Sequence, residues 1–152
     1  MQIKEVTVER AKVSDILSLQ KILKEVYAGK SPWSTTVFWV ELSKKKYGCY
    51  LKAIYQDEII GFAGIRVEVE DAHITNIAVS TKYQSKAVGR LLLDQLKLEA
   101  KELDCYSMSL EVRASNSKAI SMYKKYGFKQ MAIKKEYYKD GKEDAVEMFM
   151  RI

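Results

Sequence analysis

The sequence predicts a mixed α/β domain built around one central β-sheet of about seven strands, flanked by about four helices. Seven short segments carry the alternation or the β-branched and aromatic content typical of strands, and four longer segments carry helical periodicity. The length of 152 residues fits one domain, and a single proline with no internal repeat leaves no obvious linker. We therefore treat residues 1–152 as one unit.

A strand and two helices are predicted first. Residues 3–8 alternate as a strand does, and Ser14 or Asp15 is placed to cap a following helix that ends at Gly29. Ser34 is a candidate cap for a second, shorter helix that runs to about Lys45. The first helix has one apolar face, formed by Ile16, Leu19, Leu23 and Val26.

Three strands are predicted next. Residues 47–55 and 59–69 form a hairpin whose tight turn contains Gln56, Asp57 and Glu58. Asp71 then turns the chain into a strand over residues 73–79.

The second half alternates strands with helices before a final hairpin. Apolar residues recur at helical spacing over 88–104, and residues 106–112 alternate strictly as a strand. Asn116 starts a helix that ends before Gly127, a glycine of the kind that terminates helices. The last elements are a strand over residues 127–138, a hairpin loop over 140–144 and a final strand over 145–151.

Composition excludes several classes of protein. The longest apolar run, residues 59–65, is far shorter than the roughly 18 residues of a membrane span, and the N-terminus is charged where a signal peptide is apolar. We therefore expect a cytoplasmic protein. Cys49 and Cys105 show no metal-ligand spacing, and the one histidine, His73, has no partner cluster, so we expect no metal and a structural role for His73. A net charge of +6 suits an anionic ligand or an RNA-rich setting.

The polar segment between the predicted strand over residues 73–79 and the helix that follows it has the form of an anion site. Residues 84–90 read QSKAVGR and join a predicted strand to a helix. The first amides of a helix lack intrahelical partners and lie at the positive end of its dipole, so a turn of small residues lets them close on phosphate oxygens. Lys86 and Arg90 add positive charge. The dinucleotide and Walker phosphate motifs are both absent from the sequence.

The same turn resembles motif A of the GNAT superfamily of acetyl-CoA-dependent N-acetyltransferases, written Q-x-x-G-x-G/A, here running from Gln84 to Gly89. The likeness extends to NIAVSTKYQ, LEVRASNSKAISMYKKYGF, YYKDGKEDAVEM and SPWS, and thus covers most of the chain in the right order. These blocks are similar to the RimI group, which acetylates the N-terminal alanine of a small-subunit ribosomal protein. The resemblance implies the GNAT fold, with acetyl-CoA as co-substrate.

The resemblance also implies which residues bind the cofactor. The turn would hold the diphosphate of coenzyme A through its backbone, and a splayed strand would hold the pantetheine arm and the acetyl oxygen. The family usually has a basic residue at position 85, here Ser85, and glycine at position 87, here Ala87. We expect backbone binding to survive the alanine only if its φ is negative. The implied cofactor-binding residues are Ile77, Ala78, Val79, Gln84, Ser85, Lys86, Ala87, Val88, Gly89, Arg90 and Asn116.

Two side chains are candidates for the chemistry. Glu111 alternates with apolar neighbours in a predicted strand, so it is either a partly exposed charge, a partner of Arg113 or a general base. Tyr123 lies on the next helix and is by pattern a core aromatic. The resemblance implies that Glu111 is the proton acceptor and that Tyr123 is the proton donor to the leaving thiolate.

The acceptor is less determined by the sequence. The resemblance favours the basic N-terminal peptide of a small-subunit ribosomal protein, bound by a monomer or weak dimer, with Trp33 either beside the acceptor groove or in the core. Acidic positions that could attract such a peptide are Glu68, Glu70, Asp71, Glu143 and Asp144. One alternative is a GNAT enzyme that acetylates polyamines, aminoglycosides or lysine side chains. Another is a non-catalytic acyl-CoA-binding or RNA-binding module.

Overall fold

A computed structural model describes residues 1–29, 31–44 and 47–152, and for Asp140 the backbone alone. Within these residues the strands are β1 (Thr7–Arg10), β2 (Gly48–Tyr55), β3 (Glu58–Glu68), β4 (Asp71–Val79), β5 (Ser107–Arg113), β6 (Lys129–Tyr138) and β7 (Glu143–Arg151). The α-helices are α1 (Ile16–Val26), α2 (Thr35–Ser43), α3 (Val88–Glu102) and α4 (Ser117–Tyr126). The predicted end of the second helix at Lys45 lies outside the described residues.

All seven strands form one mixed sheet, in the order β1-β2-β3-β4-β5-β7-β6. Every neighbouring pair is antiparallel except β4 and β5, which run parallel because the connection between them carries α3 across the sheet. This architecture confirms the predicted fold class, with its central sheet and its helices.

Helices cover both faces of the sheet. Leu92 and Leu96 of α3 are fully buried against one face, in the same cluster as Leu51 of β2. The neighbouring residue, Tyr50, points to the opposite face and packs with Leu19 of α1 and Phe38 of α2. Each such fully buried side chain stabilises the fold by roughly 1.5–3 kcal/mol relative to an exposed one. Because neighbouring residues of β2 point to opposite faces of the sheet, one face packs on α3 and the other on α1 and α2.

The first strand is displaced from its predicted position. Residues Ile3–Glu5 form a 3-10 turn, and the strand itself covers Thr7–Arg10. The reason is local: Gln2 N donates to the Glu5 carboxylate at 2.7 Å, and Glu5 N donates to Gln2 O at 2.9 Å. These two bonds close a turn that alternation alone does not reveal.

The caps of the helices were predicted with mixed success. Ser34 and Asn116 cap α2 and α4 as predicted, accepting from Val37 N and Ala119 N, each at 3.2 Å. Asp15 precedes α1, but its carboxylate makes no cap bond there and instead receives Lys12 N and the buried Lys52 Nζ, each at 2.7 Å. The Asp15 carboxylate neutralises Lys52 and does not accept a bond from the first amides of α1. The prediction that this side chain caps α1 is therefore wrong.

No helix among the residues that the structure describes is long and apolar enough to cross a membrane.

Candidate active site

A cavity of about 1020 Å³ opens where β4 and β5 part, beside the N-termini of α3 and α4. Its size lies at the upper end of the range for small-molecule sites, so it has room for more than one ligand. The wall brings together Glu111, Tyr123, Trp33, the turn before α3 and the second half of β4.

The cavity exists because two parallel strands separate. β4 and β5 pair at three positions, from Asp71 with Ser107 to His73 with Ser109, although both strands continue beyond them. From Ile74 onward, no strand in the described part of the chain pairs with that edge of β4. Its main-chain groups therefore face the cavity and can bind an extended ligand as an added strand would.

A bulge accompanies the separation. Gly64 pairs with Asn76 and Ile65 pairs with Ile74, so Thr75 of β4 is the extra residue. Tyr50 crosses over Gly64 and its hydroxyl is hydrogen-bonded to Thr75 Oγ1. The bulge is thus held by a side chain from two strands away, and the residues after it, Ile77, Ala78 and Val79, all line the cavity.

The turn before α3 presents free amides to the cavity. The helix begins at Val88, and its first backbone bond runs from Leu91 N to Ala87 O at 3.0 Å. The amides of Val88, Gly89 and Arg90 precede that bond and have no intrahelical partner. Such a helix start is a site for a phosphate group.

Ala87 corrects an expectation about this turn. Its φ is +68°, and that of Ser85 is +62°, so both residues adopt the left-handed conformation that favours glycine. The condition set for backbone binding, a negative φ at Ala87, is therefore not met. The tight strand-to-helix turn requires this conformation, and the alanine adopts it at a cost of about 1 kcal/mol. The shape of the turn is kept, even though the usual residue is not.

The turn is fastened at its start by two contacts that the sequence did not reveal. Gln84 Nε2 donates to Val79 O at 3.0 Å, which ties the turn to the end of β4. The Glu25 carboxylate of α1 receives Thr81 N at 2.7 Å and Ser80 Oγ at 3.0 Å, and these bonds lower its pKa. Helix α1 therefore helps to fix the turn before α3.

Ten of the eleven predicted cofactor residues line the cavity, and Lys86 does not. Arg90 and Lys118 are the cations of its wall nearest to the two helix starts, and Asn116 lies at the start of α4. The positive charge expected at the turn is thus supplied to the cavity by Arg90 rather than by Lys86.

Glu111 projects from β5 on the face opposite Met108, Leu110 and Val112, as its alternation predicted. Its side chain is 10% exposed, and Oε1 lies 3.0 Å from the Tyr137 hydroxyl and 3.3 Å from His73 Nε2. Burial acts to raise its pKa, but the hydrogen bond from His73 and the charges around it prevail and hold the pKa below its usual range. The carboxylate is therefore ionised at neutral pH and able to accept a proton.

Tyr123 both packs in the core and lines the cavity. Its ring packs edge to face on Phe128 with ring centroids 5.6 Å apart, so Tyr123 is a core aromatic as its pattern predicted. Burial raises the pKa of its hydroxyl far above that of free tyrosine. The hydroxyl therefore keeps its proton in the resting protein and is available to donate it.

A scan against protein families matches residues 15–128 to the acetyltransferase (GNAT) family. The chain belongs to this family. It is 32% identical to the [ribosomal protein bS18]-alanine N-acetyltransferase of Escherichia coli K12 over 148 residues, 96% of this chain and 97% of that one. It is 35% identical to the protein of the same name from Salmonella typhimurium LT2, over 80% of this chain and 82% of that one.

Solved structures agree with this assignment. The crystal structure of the ribosomal-protein-S18-alanine N-acetyltransferase from Escherichia coli superposes with a TM-score of 0.86, covering 97% of this chain and 94% of that one. Ard1 from Thermoplasma volcanium, 24% identical, shares the fold with a TM-score of 0.82, over 97% and 98% of the two chains. The resemblance to the GNAT superfamily is confirmed, and this chain is an acetyl-CoA-dependent N-acetyltransferase.

Some residues of the site escaped the sequence reasoning. His73 was assigned a structural role, yet it contacts Glu111, because the parallel pairing of β4 with β5 brings it there. Tyr137 and Tyr138 of β6 also line the cavity. Trp33 packs on Phe38 with ring centroids 5.1 Å apart and also lines the cavity, and its place beside the acceptor groove stays a prediction.

The acidic positions expected to attract a basic peptide lie outside the cavity wall, and among the described residues of that wall Glu111 is the one carboxylate. Several have partners within the protein: Glu68 binds Arg66 at 2.9 Å, and Glu143 binds Arg113 at 3.3 Å.

Proposed function

We propose that this chain transfers the acetyl group of acetyl-CoA to the N-terminal α-amine of an alanine on ribosomal protein S18, directly and in a ternary complex. The acceptor is supported by the names of this chain's relatives, which state that activity. Their similarity extends over nearly the full length of the chain. The observation that carries the chemistry is the meeting of Glu111, Tyr123 and the free amides of α3 in one cavity.

The residues present fit acetyl-CoA. The amides of Val88, Gly89 and Arg90, at the positive end of α3, would hold its diphosphate. The open edge of β4 at Ile77–Val79 would hold the amide-containing arm by strand-like hydrogen bonds. With these two anchors the thioester would lie between the two strands, near Glu111.

The side chains then divide the proton transfers. An α-amine has a pKa of about 8 and is mostly ammonium at neutral pH, so Glu111 accepts one proton from it. The neutral amine attacks the thioester carbonyl, and the amides near Ala78 stabilise the negative charge that develops on its oxygen. The attacking nitrogen loses its second proton to solvent, the carbon–sulfur bond breaks, and Tyr123 donates its proton to the thiolate. Glu111 and Tyr123 return to their starting states through solvent.

The acceptor would enter beside the aromatic wall formed by Trp33, Tyr137 and Tyr138. We propose that it is the basic N-terminal peptide itself, bound by a monomer in the cytoplasm. The wall contributes apolar contact around a small first residue. Every residue invoked comes from a single chain.

A panel of acceptors tests the substrate. The S18 N-terminal peptide, the same peptide with its α-amine blocked, spermidine and an aminoglycoside are each incubated with acetyl-CoA and followed by mass spectrometry. We expect acetylation of the free peptide at its α-amine. Acetylation of the blocked peptide would show lysine transfer, and faster turnover of a free amine would reject the ribosomal acceptor.

Replacement of the base tests the mechanism. Glu111→Gln keeps the size of the side chain but cannot accept a proton, so we expect kcat to fall by about 100-fold or more while acetyl-CoA binding stays within about twofold. Glu102→Gln is the control, because Glu102 is exposed at the end of α3 and lies outside the cavity wall. Equal activity of the two variants would rule out a proton acceptor at Glu111.

A further inference from the structure

A row of polar side chains crosses the three positions where β4 and β5 pair. Asp71 and His73 are two residues apart on β4, and Ser107, Ser109 and Glu111 follow the same spacing on β5, so all five share one face. Ser107 Oγ donates to Asp71 at 2.7 Å, and Ser109 Oγ donates to the other oxygen of the same carboxylate. The row ends at Glu111, the proposed base.

The hydrogen bonds fix which nitrogen of His73 carries a proton. The single hydrogen of Ser109 is donated to Asp71, so Ser109 Oγ can only accept from His73 Nδ1, which lies 2.9 Å away. His73 Nδ1 is therefore protonated. The other nitrogen, Nε2, faces Glu111 Oε1 at 3.3 Å. When Nε2 is also protonated, this contact pairs an imidazolium with a carboxylate.

The contacts of Glu111 all fall on one of its two oxygens. The Tyr137 hydroxyl lies 3.0 Å from Oε1, His73 Nε2 lies 3.3 Å from it, and Lys134 Nζ lies 3.9 Å from it. Oε2 has no hydrogen-bond partner among the described residues, and it is not sealed from solvent. Oε2 is therefore the oxygen that can meet the amine in the cavity.

We propose that His73 is a positioning residue for acetyl transfer, which holds Oε1 of Glu111 and so presents Oε2 to the acceptor amine. This inference rests on the catalytic role proposed above for Glu111. His73 lines the same cavity as Glu111, so the substitutions of His73 must separate a positioning role from a direct one. Asp71 and Ser109 serve by fixing the imidazole ring and its tautomer.

The charges around the pair support this role. The hydrogen bond to Glu111 raises the pKa of His73, although burial acts to lower it, and the imidazolium in turn favours the ionised form of Glu111. His73 thus keeps a half-buried carboxylate charged. The titratable and charged groups that face the pair from neighbouring strands are Arg66 and Glu68 of β3, Asp71 of β4, Lys134, Tyr137 and Tyr138 of β6, and Glu147 of β7.

Because His73 is the one histidine of the chain, its ring protons can be titrated by NMR without assignment. We expect a pKa above 6.5 in the parent protein and a fall of about one pH unit in Glu111→Gln. Glu68→Gln is the matched control, since it removes a carboxylate that acts on His73 by charge without contacting it, and it should change the value by less than about 0.3 pH units. Identical titrations of the parent and Glu111→Gln would overturn the proposal.

Two substitutions of His73 test its effect on catalysis. The amide of His73→Asn can replace Nδ1 toward Ser109 but does not reach Glu111, whereas the longer amide of His73→Gln can donate to Oε1. We expect kcat of the Asn variant to fall by about tenfold at pH 7, and the acid limb of its pH profile to move up by about one pH unit. We expect the Gln variant to recover to within about threefold of the parent, and acetyl-CoA binding to be unchanged in both.

The outcomes separate this inference from the proposed function. An equal loss in both variants with an unmoved acid limb would show a merely structural histidine and reject the proposal. If the S18 peptide is not an acceptor, the profiles are measured with whichever amine the panel identifies. The NMR titration needs no acceptor, so it decides the pairing even if the proposed acceptor is wrong.

Discussion

Ala87 offers a direct test of how the anion site is built. The residue has φ +68° at the N-cap of α3, a conformation that costs an L-residue about 1 kcal/mol and costs glycine nothing. Ala87→Gly removes this strain, and glycine is also the better N-cap. The extra freedom of glycine in the unfolded chain offsets part of the gain. We expect a net stabilisation of about 1 kcal/mol, or about 2–4 °C in Tm for a chain of this length.

Thermal and urea unfolding measure this change, and two other alanines provide controls. Ala28 also has a positive φ, of +52°, so Ala28→Gly should stabilise the protein similarly. Ala132 lies in the exposed strand β6 with an ordinary φ, so Ala132→Gly should destabilise the protein by about 0.5–1 kcal/mol. A loss of stability in Ala87→Gly that matches Ala132→Gly would refute the reasoning.

The same variant measures what the altered turn means for the cofactor. Since Ala87 already adopts the left-handed conformation, the amides of α3 are in place before binding. We therefore expect acetyl-CoA to bind Ala87→Gly with a dissociation constant within about twofold of the parent. A tenfold gain in affinity would mean that the alanine holds the turn in the wrong shape.

Two further predictions follow from buried positions. Gly64→Ala should lower the free energy of unfolding in urea by about 1–3 kcal/mol, because a Cβ there would lie 2.2 Å from the ring of Tyr50. Gly89→Ala is the control and should not destabilise the protein, because a Cβ there would meet nothing closer than Met122 Cε at 3.9 Å. Burial raises the pKa of Cys49 to about 11 and also raises that of Cys105, so about one Cys49 thiol in a thousand is thiolate at pH 8. A thiol-specific reagent should then label neither cysteine in the native protein and both after unfolding, and fast native labelling would contradict the burial.

The parts of the molecule governed by local pattern could be predicted from the sequence. The alternation of β5 placed Glu111 opposite its apolar neighbours, and the polar turn with its helix start gave the anion site. Caps at Ser34 and Asn116 were predicted because their bonds reach only three residues along the chain. Family resemblance then supplied the chemical roles of these residues.

The contacts that the sequence could not give are between residues far apart in the chain. His73 meets Glu111 because a parallel crossover sets β4 beside β5, and no period within either strand specifies that register. Tyr50 reaches Thr75 across an intervening strand in the same way. The φ of Ala87 is positive although alanine favours a negative value, because the geometry of the turn prevails over the preference of the side chain.

In the described chain, the strand pairing that joins the first four strands of the sheet to the last three is limited to three residue pairs: Asp71 with Ser107, Ala72 with Met108, and His73 with Ser109. A donor molecule bound along the open remainder of this junction would bridge two halves that share few backbone bonds. We therefore expect local opening to begin at this junction in the empty protein and to be suppressed when the donor is bound. On this expectation, the lifetime of the folded enzyme depends on the supply of acyl donor as well as on its packing.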